Sequence, residues 1–245
     1  MVFRPYGTRI QFGFGSGMTP VVRILLTANG IAFVVSLLAQ AAGLGSVIHW
    51  LMLTPYAVIH SLAIWQSVTY LFLHGGLFHL LFNMFALWMF GGELERAWGA
   101  RRFLNYYLVT GIGAGLTVVL VNPNSMAATL GASGAIYGVL LAYGLLYPNR
   151  MILVYFFIPV PAKYFVMIIG AIAFLSSLSS PGDGISHLAH LGGLIFGFLH
   201  LRGRPYYHSF RNQYYRWRRR QLQQQFQVYM AKKDQKEKRK DRWVN

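Results

Sequence analysis

Six apolar stretches dominate this chain. Most are about as long as the path across a membrane, whereas the fourth and the sixth are shorter and rich in small residues, which suits helices buried inside a bundle. A transmembrane helix needs about 20 mainly apolar residues. The 245 residues are 55% hydrophobic and only 11% charged, whereas soluble domains carry about 25% charged residues. The candidate spans are 23–43, 76–96, 103–122, 132–148, 163–180 and 186–202. We therefore predict an all-α fold, a polytopic membrane bundle of six transmembrane helices.

The positive charges predict how these spans are oriented. Lys and Arg favour the cytoplasmic side of a membrane. In a six-span arrangement all 22 Lys and Arg fall on one side, and the opposite loops, at about 44–65, 123–131 and 181–185, contain none. We expect both termini in the cytoplasm. The expected segments are an N-terminal segment 1–22, a membrane domain 23–203 and a basic cytoplasmic tail 204–245.

The distribution of charge also bears on the partners of the chain. The formal net charge is +16, yet fourteen of the 22 basic residues lie from Arg202 onward. A basic tail beside a membrane domain is attracted to anionic lipid headgroups, so we expect lipid and no nucleic acid as its partner. Either a surface-lying helix or a disordered, protein-binding tail fits this composition. The absence of cysteine excludes disulfides and thiol chemistry.

Three of the spans begin with polar side chains, which are costly in a bilayer and mark functional positions. The second span carries His79 and Asn83, which share one helical face because they are four residues apart. The fourth span opens with Ser133 among small residues, and the sixth carries His190. In the predicted orientation all four lie near the extracytoplasmic ends of their spans, so three helices place polar groups at similar depth.

These groups have the chemistry of a serine hydrolase. A serine hydroxyl becomes a nucleophile when a base, usually a neutral histidine, removes its proton, and the developing oxyanion needs hydrogen-bond donors. His79, Asn83 and the Ser133 amide are candidate donors. The one acid in the same leaflet, Asp183, precedes the sixth span, so we expect a Ser–His dyad.

Three further residues would support that dyad. Tyr137 follows Ser133 by one turn, and its ring would pack on His190. Gly193 and Gly197, at a spacing of four, would let the sixth span approach the fourth.

Two other interpretations stay open at this point. His74 with His79, and His187 with His190, would form a histidine cluster for a metal, although no HExxH pattern accompanies them. Alternatively, His74 and His187 simply bond to loop carbonyls. We expect neither metal nor cofactor.

Taken together, the three motifs resemble those of the rhomboid intramembrane serine proteases, over residues 20–203. The His-x4-His-x3-Asn pattern of that family is matched by His74, His79 and Asn83, and its Gly-x-Ser-Gly pattern begins at Gly131. The sixth-span Ala-His-x2-Gly-x3-Gly pattern is matched by Ala189, His190, Gly193 and Gly197. One position departs from it, because Gln66 follows Trp65 where many members have arginine.

The resemblance implies a role for each of these residues. Ser133 would be the nucleophile and His190 the general base, with His79, Asn83 and the Ser133 amide as the oxyanion hole. Tyr137, His74, Gly131, Gly193 and Gly197 would support them.

It also implies an endopeptidase that cuts other membrane proteins in or near their transmembrane segments, in a bacterial inner membrane. We expect the fifth span and the loop 178–187 to form the gate for these substrates. A non-catalytic relative that binds and guides membrane clients is the alternative.

Overall fold

The computed structural model describes residues 18–154, 157–179, 187–203 and residue 223, and this part of the chain is predominantly helical. The chain divides into two compact units, Met1–His200 and Leu201–Asn245. The helices are α1 (Pro20–Ala41), α2 (Gly45–Leu51), α3 (Pro55–His60), α4 (Gln66–Thr69), α5 (Leu77–Trp98), α6 (Ala100–Val121), α7 (Ser133–Leu146), α8 (Ala162–Ser179) and α9 (187–203). A 3₁₀ turn, Tyr70–Phe72, follows α4, and α5 contains a π-helical stretch, Leu87–Gly91.

Six of these helices coincide with the six predicted apolar stretches. Three of them, α1, α5 and α6, are long and apolar enough to cross a membrane, whereas α7 and α8 are shorter apolar helices. The 14 residues of α7 rise about 21 Å, less than the roughly 30 Å of a hydrocarbon core. Ala135, Val139 and Ala142 of α7 are fully buried, so this helix lies inside the bundle, as its small residues predicted.

The start of α1 is held by the end of α5. Pro20 occupies the first turn of α1, where its missing N–H costs nothing. The carboxylate of Glu95, which is buried, accepts hydrogen bonds from the amides of Val21 and Val22 at 2.9 Å each. Two of the unpaired N–H groups of the helix terminus are thus satisfied by a negative charge, which also suits the helix dipole.

The uncharged loop at 44–65 contains two short helices, α2 and α3. The side chain of Gln66, which is buried, fixes the linker between these two helices. Its Oε1 accepts from the Thr54 amide at 2.9 Å, and its Nε2 donates to the Trp50 carbonyl at 3.0 Å. Gln66 therefore anchors the loop with one acceptor and one donor.

The all-α prediction does not hold for one segment, 151–161, whose apolar run is too short to span a membrane and predicts an interfacial connector. It forms an antiparallel hairpin of β1 (Met151–Val154) and β2 (Ile158–Pro161). Met151 pairs with Pro161 at one end and Val154 with Ile158 at the other. Branched and aromatic residues favour strands, and prolines are tolerated at the free edge of such a sheet but not inside a helix.

Candidate active site

The hydroxyl of Ser133 and the imidazole of His190 meet between the first turn of α7 and the first turn of α9. His190 Nε2 lies 2.8 Å from Ser133 Oγ, which is hydrogen-bonding distance. The other ring nitrogen of His190, Nδ1, has no hydrogen-bond partner among the described residues. Asp183, the acid considered from the sequence, lies outside the described residues. The geometry is therefore that of a serine–histidine pair.

The two helices approach closely because glycines line their contact. A side chain at Gly193 would overlap the carbonyl oxygen of Gly134, so the two backbones touch directly. One turn further along α9, a Cβ at Gly197 would lie 3.3 Å from the Gly138 Cα. The hydroxyl of Tyr106 in α6 donates to the Gly138 carbonyl at 2.7 Å. Small residues thus set the separation at which His190 reaches Ser133.

The ring of His190 is held by an aromatic stack. Tyr137 lies parallel to it, with an interplanar angle of 3° and ring centroids 4.2 Å apart. His187 meets the His190 ring edge-on at 5.9 Å. Because Tyr137 is one helical turn from Ser133, the same helix that carries the hydroxyl also orients the imidazole.

Gly131 and His79 form the other side of the site. Gly131 has φ +123°, a region in which side chains are strained. A Cβ at Gly131 would lie 2.9 Å from the His79 ring and 3.8 Å from Ser133 Oγ. The His79 ring is therefore packed against the main chain that leads into Ser133. Only glycine allows this approach.

His74, the first histidine of the second-span motif, packs behind His79. The two rings meet edge-on with centroids 5.0 Å apart. Burial, and then the neighbouring His79, lower the pKa of His74 to about 4, so its ring is neutral at physiological pH. His74 therefore contacts the site through His79.

Asn83 is placed differently from what the sequence suggested. The amide Nδ2 donates to the main-chain carbonyl of His79 at 2.9 Å, one turn earlier in α5. We had expected both side chains to direct donors at one point. A carboxamide has two N–H groups, so this bond leaves one of them for another acceptor.

The segment that precedes Ser133 is attached to the loop at 44–65 and to the 3₁₀ turn Tyr70–Phe72 by contacts that the sequence did not predict. Leu53 and Thr129 exchange two main-chain hydrogen bonds, of 2.9 and 2.8 Å. The Gly131 amide donates to the Tyr70 carbonyl at 2.9 Å. No side-chain pattern signals such bonds, because they join main-chain groups that are far apart in the sequence.

The histidines do not gather into a metal cluster in the part of the chain that the structure describes. No group of three or more His, Cys, Asp or Glu side chains is close enough to hold an ion there. His74 pairs with His79, and His187 with His190, on opposite sides of Ser133.

The fold and the site together define a helical membrane protein that holds a serine hydroxyl against an imidazole. A family model described as the rhomboid domain matches residues 61–203, more than half of the chain. The chain belongs to the rhomboid family, which confirms the resemblance of its motifs.

Three relatives show how far the similarity extends. Rhomboid protease GluP of Bacillus subtilis is 38% identical over 136 residues, which are 55% of this chain and 25% of that protein. The putative rhomboid protease YdcA of the same organism is 35% identical over 137 residues, 55% of this chain and 64% of that protein. The chain thus spans less than two thirds of either relative. Rhomboid protease GlpG of Haemophilus influenzae is 30% identical over 180 residues, 73% of this chain and 88% of that protein.

Proposed function

We propose that this chain is an intramembrane serine endopeptidase that hydrolyses peptide bonds in or near transmembrane segments of other membrane proteins. The observation that carries the proposal is the 2.8 Å separation of His190 Nε2 from Ser133 Oγ. Relatives described as rhomboid proteases support it. The protein would need neither metal nor cofactor, because nucleophile and base are both side chains.

The proposed reaction proceeds through an acyl-enzyme. Ser133 Oγ attacks the scissile carbonyl carbon while His190 Nε2 takes the hydroxyl proton. The negative charge moves to the carbonyl oxygen, where the Ser133 amide, His79 and the second N–H of Asn83 donate hydrogen bonds. His190 returns the proton to the leaving amine as the C–N bond breaks. A water then attacks the ester carbonyl carbon while His190 Nε2 takes a proton from it. His190 gives this proton to Ser133 Oγ as the ester bond breaks, which releases the acid.

The surroundings of the pair suit this reaction. Stacking against Tyr137 keeps the His190 ring facing Ser133, so that little reorganisation is needed. Nδ1 of His190 has no carboxylate partner among the described residues. The proposed reaction therefore uses a dyad of Ser133 and His190.

We further propose that the protein crosses the membrane six times, with both termini in the cytoplasm. All of its Lys and Arg then lie on the cytoplasmic side, and the site opens toward the outer leaflet. The tail 204–245 would lie on anionic headgroups of a bacterial inner membrane. The gate that we propose comprises α8 and the loop 178–187, of which residues 180–186 lie outside the described residues.

Labelling by a serine-reactive fluorophosphonate, combined with cleavage of a model transmembrane substrate, tests the proposal. The native protein should be labelled and should cut the substrate, and Ser133→Ala and His190→Ala should each abolish both. Ser36→Ala is the matched control, because the Ser36 hydroxyl donates to the Ala32 carbonyl within α1, away from the proposed site and gate. Cleavage by Ser133→Ala would refute the assignment. Absence of labelling in the folded native protein would favour the non-catalytic alternative, a protein that guides membrane clients.

A further inference from the structure

The β1–β2 hairpin presents an apolar face outward. In an antiparallel pair, residues opposite each other lie on the same face. Met151 and Leu153 therefore share a face with their partners Pro161 and Pro159. Both Met151 and Leu153 are exposed, and Phe157, beside the turn, has 84% of its surface exposed. No charged side chain occurs between Arg150 and Lys163.

The base of this hairpin is fixed at the ends of two apolar helices. The Ala162 amide donates to the Arg150 carbonyl at 2.8 Å, and the Lys163 amide donates to the Pro148 carbonyl at 3.1 Å. These bonds close the neck between α7 and α8. These bonds hold the hairpin beside the ends of α7 and α8.

Cations and aromatic rings surround that neck. The Arg150 guanidinium lies 5.5 Å from the centre of the Tyr147 ring, and Lys163 Nζ lies 5.0 Å from that of Tyr164. Arg150 also forms an ion pair with Glu93 at the end of α5. Basic and aromatic residues at helix ends are typical of the membrane–water interface. The composition of the neck therefore suits the depth of the lipid headgroups.

We propose that the hairpin is a lipid anchor, inserted into the cytoplasmic leaflet at the boundary between headgroups and acyl chains. The exposed face formed by Met151 and Leu153, together with Phe157, contacts the lipids. The adjoining helix α8 also exposes apolar side chains, among them Met167 and Ile168.

The boundary region is where such a hairpin can lie. The free edges of two strands carry unpaired N–H and C=O groups, which cannot enter the hydrocarbon core but find partners among headgroups and water. Lys163 complements anionic headgroups there. The insertion would hold the inner end of α8 at a constant depth.

Spin labelling tests this insertion directly, because the chain has no cysteine and a single substitution gives a unique label. Phe157→Cys is labelled in the full chain, reconstituted in vesicles of phosphatidylethanolamine and phosphatidylglycerol. We expect collisions with oxygen, which partitions into lipid, to exceed collisions with a water-soluble nickel chelate. The control Asn149→Cys, in the exposed turn before β1, should show the reverse ratio. If Phe157→Cys does not fold, Met151→Cys probes the same face.

Each other outcome overturns the proposal. A ratio at position 157 equal to that at position 149 would place the hairpin in water. Dipolar broadening between labels at position 157 would mean that a second copy covers the face. Shielding from both reagents, lifted by removing a bound transmembrane peptide, would identify a substrate helix instead.

The choice of leaflet depends on the proposed orientation, so it has a separate measurement. A membrane-impermeant maleimide added to intact cells should leave Asn149→Cys unlabelled until the cells are permeabilised. Labelling from outside would assign the hairpin to the outer leaflet and would not change the conclusion from spin labelling. Neither measurement depends on Ser133, so both are independent of the protease proposal.

Discussion

Gly193 of α9 lies directly against the carbonyl oxygen of Gly134 in α7, with no room for a side chain between them. This contact determines how far His190 stands from Ser133, because His190 is one turn before Gly193 on the same helix. The separation of the proposed catalytic pair therefore depends on a contact between two backbones, in which no side chain takes part.

Substituting Gly193 by alanine should separate the two helices. Gly193→Ala forces a methyl group into filled space, and such overpacking costs about 1–3 kcal/mol. We expect a lower unfolding temperature in detergent and a loss of fluorophosphonate labelling in the molecules that remain folded. Gly30→Ala is the matched control, since nothing lies within 4 Å of a Cβ there. Native labelling by Gly193→Ala would show that the contact does not set the geometry.

The stack between Tyr137 and His190 should affect turnover more than substrate binding. Aromatic pairs contribute about 0.5–1.5 kcal/mol beyond burial, so Tyr137→Leu should lower kcat by up to about tenfold with KM nearly unchanged. Tyr137→Phe retains the ring and should keep kcat close to native. Equal losses in the two variants would mean that the hydroxyl, and not the stacked ring, is needed.

Replacing Gln66 by arginine, the residue found at this position in many rhomboids, should lower the stability of the protein. Arginine donates hydrogen bonds but cannot accept the one from the Thr54 amide. A buried unsatisfied group costs about 1–3 kcal/mol. We expect Gln66→Arg, which also buries a charge, and Gln66→Ala, which loses both bonds, to be destabilised.

Hydrogen exchange reports whether that loss reaches the site. The amides of Leu53 and Thr129 should exchange faster in both Gln66 variants, because their mutual hydrogen bonds depend on the anchored loop. Thr117→Val, which removes a hydroxyl bonded within its own helix α6, serves as the control. Unchanged protection at Thr129 would disconnect Gln66 from the segment leading to Ser133.

Glu95 should contribute to stability and not to chemistry. Glu95→Ala leaves the buried amides of Val21 and Val22 without partners, at about 1–3 kcal/mol for each unsatisfied group. Glu95→Gln keeps one acceptor oxygen and should recover part of the loss. Thermal unfolding measures the stability, and the labelling rate per folded molecule should stay native. A reduced rate in folded Glu95→Gln would reveal an unexpected coupling to the site.

Much of the candidate site was predictable from the sequence. The motifs around His79, Ser133 and His190 have spacings that assign each residue to a helix, and the charges predict a common depth for those helix ends. The stacking of Tyr137 followed from its position one turn after Ser133. The hydrogen bond from Asn83 to the His79 carbonyl was not predictable, because the acceptor of a side-chain amide depends on its rotamer.

Two structural features escaped the sequence for another reason. The hairpin at 151–161 lies in a run too short to distinguish strand from helix or connector by periodicity. The bonds from Gln66 and from Leu53 join residues that are far apart along the chain. Local sequence patterns do not predict such partners.

Hydropathy and charge by themselves determined that this chain is a helical membrane protein, since partitioning into lipid depends on the composition of each segment alone. The order and spacing of the motifs determined the family. Only the tertiary structure decided that Ser133 and His190 lie 2.8 Å apart, because a hydrogen bond requires sub-ångström placement of two helices. That placement results from close contacts at the glycines of two helices. These contacts form only when the whole bundle packs.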